Sequence, residues 1–142
     1  AAPPAPAPQP APATQVTPVT VPAYLDPASA ISRERSVYFD FDDFTVKKDY
    51  AALIERQGNY LSANPKLAIK VEGNADERGS SEYNLALGQK RAQAVATALK
   101  VYGVKDGQME VVSWGKERPV ATGHDEDSWA KNRRADVVYP KQ

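Results

Sequence analysis

Hydrophobic and polar positions change period several times along the chain. Ser36-Val37-Tyr38-Phe39-Asp40-Phe41 is β-branched and aromatic and predicts a strand. Over residues 49–64 the period lengthens. Leu53, Ile54 and Leu61, with Tyr50 and Gln57 between them, recur at helical spacing, and Pro65 stops the helix. Residues 67–72 return toward alternation and predict a second strand. A loop rich in glycine and charge follows over 73–79. Ser80 suits an N-cap, with Glu82 in the first turn where the helix dipole favours an anion. That helix is predicted to run to about Tyr102, with an apolar stripe of Tyr83, Leu87, Val95, Ala98, Leu99 and Tyr102, and Gly103 ends it. Residues 109–114 predict a third strand and 115–127 a polar loop. A short helical turn over 128–132 leads to a last strand over 133–139, closed by Pro140.

The order β-α-β-α-β-(turn)-β predicts an α/β fold, an α+β two-layer sandwich with both main helices on one sheet face. Helical crossovers are right-handed and make neighbouring strands parallel. The last strand follows a loop and a short turn, so an antiparallel pairing and a mixed sheet are expected.

Composition adds a boundary. Residues 1–27 hold nine of the twelve prolines, seven alanines and a single charge, Asp26. Such a stretch has few amide donors and little apolar surface, and favours extended polyproline II; as a stiff spacer it would reach roughly 80 Å. We expect a Pro/Ala-rich flexible linker over 1–33 and a folded domain over 34–142. The 18 basic and 18 acidic residues balance, which argues against a protein that works by neutralising nucleic-acid phosphates. The absence of cysteine excludes disulfides, zinc-thiolate sites and cysteine nucleophiles. No apolar run reaches the ~20 residues that span a bilayer, and no signal segment opens the chain, so it reads as a soluble or already processed form.

The densest chemistry is Gly73-Asn74-Ala75-Asp76-Glu77-Arg78-Gly79-Ser80, between a strand end and a helix N-terminus. It lacks the phosphate-loop spacing, and its carboxylates would repel a polyphosphate. Arg91 lies on the apolar stripe of the following helix. It either makes an internal salt bridge or snorkels, or it is a positive anchor facing a cleft, with Asp76 as its opposite. One fixed carboxylate and one fixed guanidinium suit a zwitterion such as an amino-acid head group. The difficulty is distance: Arg91 is about 15 Å along the helix from its start, so the loop must fold back beside it. Asp40, Asp42 and Asp43 read as turn formers, with a metal site or ligand acceptors as the alternatives. The loop of His124, Asp125, Glu126 and Asp127 makes a weak metal signal. Arg133 and Arg134 point to opposite faces of an alternating strand, one toward ion pairs in the sheet and one toward the surface. One histidine and no G-x-S-x-G give no nucleophilic set. Paired carboxylates leave a glycosidase open by residue type only.

Taken in order, three stretches carry a resemblance: Val37-Tyr38-Phe39-Asp40-Phe41-Asp42, then Val71-Glu72-Gly73-Asn74-Ala75-Asp76-Glu77-Arg78-Gly79, then Glu82-Tyr83-Asn84-Leu85-Ala86-Leu87-Gly88-Gln89-Lys90-Arg91-Ala92. With Ser113-Trp114-Gly115-Lys116-Glu117-Arg118-Pro119, Gly123-His124-Asp125-Glu126 and Lys131-Asn132-Arg133-Arg134-Ala135, they resemble the OmpA-like peptidoglycan-binding domain over residues 34–139, most closely that of the peptidoglycan-associated lipoproteins. Asn74 stands where that family commonly has His. The family's lipid-bearing N-terminal Cys is not in the chain, and the Pro/Ala stretch looks like its linker. The resemblance implies non-covalent binding of the meso-diaminopimelate in the peptidoglycan stem peptide. Asp76 would take its ammonium and Arg91 its carboxylate. Asp42, Arg78 and Asn84 would add contacts, with Phe41 and Leu87 lining the cleft. It also implies TolB as a partner, a Tol–Pal role in envelope integrity and division, a place at the periplasmic face of the outer membrane, no cofactor and no catalysis. An adaptor that grips another protein, or a wall hydrolase, is the alternative. Loss of Asp76 or Arg91 is expected to abolish wall binding with the fold intact.

Overall fold

A computed structural model describes residues 21–140. Four strands, β1 (Ser36–Tyr38), β2 (Ile69–Asn74), β3 (Met109–Gly115) and β4 (Arg134–Val138), form one sheet in the order β1-β4-β2-β3. The helices are α1 (Ala30–Arg33), α2 (Ala51–Ala63), α3 (Ser81–Lys100) and α4 (Glu126–Asn132). The α/β two-layer reading and the mixed sheet hold. β2 and β3 are parallel neighbours joined through α3, and β4 is antiparallel to both β1 and β2. The helical crossover from β1 through α2 does not make β1 and β2 neighbours. It skips one place, and the last strand fills the gap between them.

The inner face of the sheet carries Val37, Ile69, Val71, Ala135 and Val137, while Lys70 and Glu72 point away, the period-2 pattern of a half-covered sheet. Against that face lie Ile54 and Leu61 of α2 and Ala92, Val95, Ala96 and Leu99 of α3, in one continuous core. The buried side of α3 differs from the predicted stripe. It runs through Asn84, Leu87, Gly88, Arg91, Ala92, Val95, Ala96 and Leu99, and Tyr83 is exposed. The reason is close approach: small Gly88, Ala92 and Ala96, four apart, face the sheet. A Cβ on Gly73 of β2 would sit 1.7 Å from the Gly88 carbonyl oxygen, and one on Gly88 would sit 2.3 Å from Ser113 Oγ. Helix and strand therefore cross backbone against backbone, which only glycine permits.

Element ends moved. β1 stops at Tyr38 although Phe39 N–H still donates to Arg133 O at 2.9 Å, and β2 continues through Gly73 and Asn74, which the sequence assigned to the loop. Ser80 does cap α3, accepting from Tyr83 N–H at 3.1 Å. Of the expected 1–33 linker, residues 1–20 lie outside the described residues. Residues 23–33 carry two short helices on the domain: Ile31 is buried in the core, and Tyr24 stacks on Tyr139 with ring centroids 5.3 Å apart. The folded part thus begins before residue 34, because Tyr24 and Ile31 bring apolar surface that the prolines lack.

Candidate functional site

The cleft lies where three segments converge: the turn after β1, the β2–α3 loop and the first three turns of α3. Phe41, Asp42, Ala75, Asp76, Arg78, Gly79, Tyr83, Asn84, Leu87 and Arg91 line a space of about 110 Å³. All seven residues singled out in the sequence (Phe41, Asp42, Asp76, Arg78, Asn84, Leu87 and Arg91) border it. A larger groove of about 570 Å³ between Tyr24, Tyr60 and Leu67 lies elsewhere and contains none of them.

Arg91 reaches the cleft because helical side chains lean toward the helix N-terminus, back over the loop. Its Nε donates to Asp43 O at 2.8 Å, Nη1 to Asn74 O at 2.9 Å and Nη2 to Asp40 O at 3.1 Å. The side chain is 0 % exposed. Burial lowers its pKa to about 10, an effect opposed by the charge of Asp76, and it stays a cation at neutral pH. So Arg91 does not snorkel, and among the described residues it makes no salt bridge. It is a staple for three carbonyls, and its removal has a structural cost that the expectation of an intact fold left out.

The three aspartates of this turn have separate roles. Asp43 forms the turn, its Oδ1 accepting from Thr45 N–H at 3.0 Å, and Asp40 pairs with Lys47 at 2.8 Å. Asp42 alone lines the cleft. Its backbone is left-handed, φ 55°, a conformation that Asp tolerates better than most residues and that clusters at functional sites.

Asp76 is buried, at 4 % exposure, and well paired. Its Oδ1 accepts from Arg78 N–H at 2.9 Å and from Arg78 Nε at 3.3 Å; its Oδ2 accepts from Arg78 Nη2 at 2.8 Å and lies 3.5 Å from Arg133 Nη1. Burial pushes this carboxyl up, but the hydrogen bonds and charge of Arg78, with the charge of Arg133, outweigh it and hold the group below its ordinary value. Asn84 Nδ2 donates to Arg78 O at 2.9 Å and fixes the loop to the helix. The cleft thus presents two carboxylates, Asp42 and Asp76, and two guanidiniums, Arg78 and Arg91, whose formal charges cancel.

Four participants were not expected from the sequence. Arg133 was assigned to a surface or sheet pairing. Its buried side chain instead donates to Phe39 O at 2.9 Å, pairs with Glu126 at 2.7 Å and backs Asp76; Arg134 is the one paired within the sheet, to Asp136 at 3.0 Å. Tyr83 was assigned to the core and lines the cleft. Glu77 accepts from Trp129 Nε1 at 2.7 Å and lies 2.6 Å from His124 Nδ1, and Trp129 stacks on Arg78. Only the alternation of Arg133 and Arg134 carried a signal of this. The partners of Glu77 lie about fifty residues away in the chain, beyond any local pattern.

The comparisons with known proteins bear on the family and the fold. The OmpA family model matches residues 38–133. The chain is 46% identical over 107 residues to the peptidoglycan-associated lipoprotein of Pasteurella multocida, covering 75% of this chain and 71% of that one, and equally identical over 107 residues to that of Haemophilus influenzae, covering 75% and 70%. The crystal structure of the peptidoglycan-associated lipoprotein from Burkholderia pseudomallei superposes with TM-score 0.80 at 58% identity, covering 84% of this chain and 100% of that one. The C-terminal domain of Helicobacter pylori MotB, at 24% identity and TM-score 0.68 over 75% of this chain and 83% of that one, shares the fold alone. With a family match across residues 38–133 and relatives at 46% identity, the chain belongs to the OmpA family.

Proposed function

We propose that this domain binds peptidoglycan without covalent chemistry, through the side-chain end of meso-diaminopimelate in the stem peptide, and so tethers the outer membrane to the wall. The single observation that carries the reading is that Asp76, in the β2–α3 loop, and Arg91, in the third turn of α3, border one small cleft whose four lining charges sum to zero. A neutral ligand that carries both signs matches such a site, whereas a simple anion or cation meets as much repulsion as attraction. The ammonium is directed to Asp76 and Asp42, the carboxylate to the guanidinium side, and the ligand's methylenes to Phe41 and Leu87. Relatives named peptidoglycan-associated lipoprotein support the substrate class. The same resemblance supports a Tol–Pal role in envelope integrity and division, TolB as a protein partner, and anchorage at the periplasmic face of the outer membrane by a lipid N-terminal to this chain. The module acts by binding, with no bond made or broken.

Calorimetric titration of stem peptides tests this directly. Replacing diaminopimelate by lysine keeps the ammonium and deletes the carboxylate, and should weaken binding by about tenfold or more, the worth of one charge-assisted hydrogen bond. Equal affinity for the two peptides would overturn the zwitterion site and favour a protein adaptor.

A further inference from the structure

We propose that Trp129, which lies outside the cleft, is a positioning residue that sets its selectivity by holding Arg78 in place. The inference deepens the reading above and rests on it. Arg78 and Arg91 both border the cleft, but they differ in availability. Arg91 is fully buried, with three of its nitrogens committed to backbone carbonyls. The Arg78 side chain is 33% exposed, and among the described residues its guanidinium donates only to Asp76, through Nε and Nη2. A guanidinium carries five N–H groups, so Nη1 and one proton of Nη2 are left for an incoming carboxylate.

A long side chain at the surface would ordinarily spread over many rotamers, and a disordered donor recognises nothing sharply. Here Arg78 is clamped. Its guanidinium carbon lies 4.1 Å from the centroid of the Phe41 ring and 4.1 Å from that of Trp129, an aromatic ring on each of two sides. Trp129 is itself fixed: its Nε1 donates to Glu77, the residue between Asp76 and Arg78, at 2.7 Å, and it sits on α4, whose Glu126 pairs with Arg133 behind Asp76. One short helix therefore holds the loop by its backbone neighbour and the guanidinium by its face. With Arg78 so ordered, the diaminopimelate carboxylate meets a pre-set planar fork.

The test uses the same two stem peptides at neutral pH, with wild type, Trp129→Leu, Trp129→Phe and Arg78→Lys. Leucine keeps apolar bulk without a π-face. Trp129→Leu should weaken the diaminopimelate peptide about fivefold while leaving the lysine peptide nearly unchanged, so that the ratio between them falls. Trp129→Phe, which restores a ring, should recover most of the ratio. Arg78→Lys, which keeps the charge but loses the stacked fork, should lower the ratio as Trp129→Leu does, independently of how α4 tolerates substitution. Equal weakening of both peptides by Trp129→Leu, or an unchanged ratio in Arg78→Lys, would overturn the assignment while the zwitterion site stood. A wild type that does not discriminate between the peptides would overturn the proposed function, and this inference with it.

Discussion

Two ends of the molecule solve the same problem with different chemistry. At the end remote from the cleft, buried Gln108 uses one amide nitrogen to gather three carbonyls, Leu61 O at 3.0 Å, Asn64 O at 3.2 Å and Leu67 O at 3.1 Å, and so closes the turn after α2. At the cleft, Arg91 gathers Asp40 O, Asp43 O and Asn74 O. Both tie together irregular backbone, giving donors to carbonyls of which Leu67 O and Asp43 O lie outside the strands and helices, while Leu61 O, Asn64 O and Asp40 O also accept from the main chain. A neutral amide suffices for that task and costs less to bury than a cation. A guanidinium at the second place brings a charge that stapling alone does not need. That charge sets a positive field beside Asp76, which the proposed function uses.

The two staples should therefore respond differently to loss. Arg91→Ala takes the donor from Asp43 O and Asn74 O, with Asp40 O keeping Asp43 N–H, and leaves Asp76 with less compensation; it should cost about 4 kcal/mol in urea unfolding. Gln108→Ala leaves Leu67 O without its donor and Lys105 N–H without its acceptor, while Leu61 O and Asn64 O keep backbone partners; no charge is involved, and it should cost about 2 kcal/mol. If Arg91→Ala proved no more damaging than Gln108→Ala, the cation would be a peripheral group rather than a staple. Since the larger loss confuses binding with stability, the choice of peptide is a cleaner probe of the cleft than removal of Arg91.

A smaller effect separates the ends by pH. Asp76 has a folded pKa below its ordinary 3.8, so the stability it lends is whole above about pH 4 and is lost as pH falls through the lower folded value. Tyr139, which donates to Gln57 at the other end, is pushed above its ordinary 10.0 by burial; its contribution is whole below about pH 10 and is lost as pH rises through the folded value. Urea midpoints measured from acid to alkali should show both limbs. Asp76→Asn should flatten the acid limb only, and Tyr139→Phe the alkaline limb only. An acid limb unaltered in Asp76→Asn would mean that other carboxylates govern it.

Much of the fold was legible because its signals are local. Pro65 and Gly103 bracket helices, Ser80 caps α3, and the alternation in β2 and β4 chose their buried faces. Errors arose where a tertiary contact overrode the local pattern. Tyr83 has the spacing of a core residue, yet the approach of Gly88 to Gly73 rotates the small-residue face of α3 onto the sheet and leaves Tyr83 at the cleft mouth. Residues 23–33 read as linker because proline dominates before them, yet Tyr24 finds Tyr139 more than a hundred residues away. Of the cleft, motif residues were readable one by one. The clamp on Arg78 was not, since Phe41, Arg78 and Trp129 share no spacing.

The amino-acid order alone determined which segments are helices and strands, that the sheet is mixed, and which charged residues were worth watching. It did so because those properties depend on backbone propensity and on the period of apolar side chains. Only the folded chain decided that β4 enters the middle of the sheet, that Arg91 spends its donors on carbonyls, and that α4 braces Arg78. These are contacts between residues distant in sequence, selected by close packing and by the need to pair every buried charge, and neither leaves a local trace.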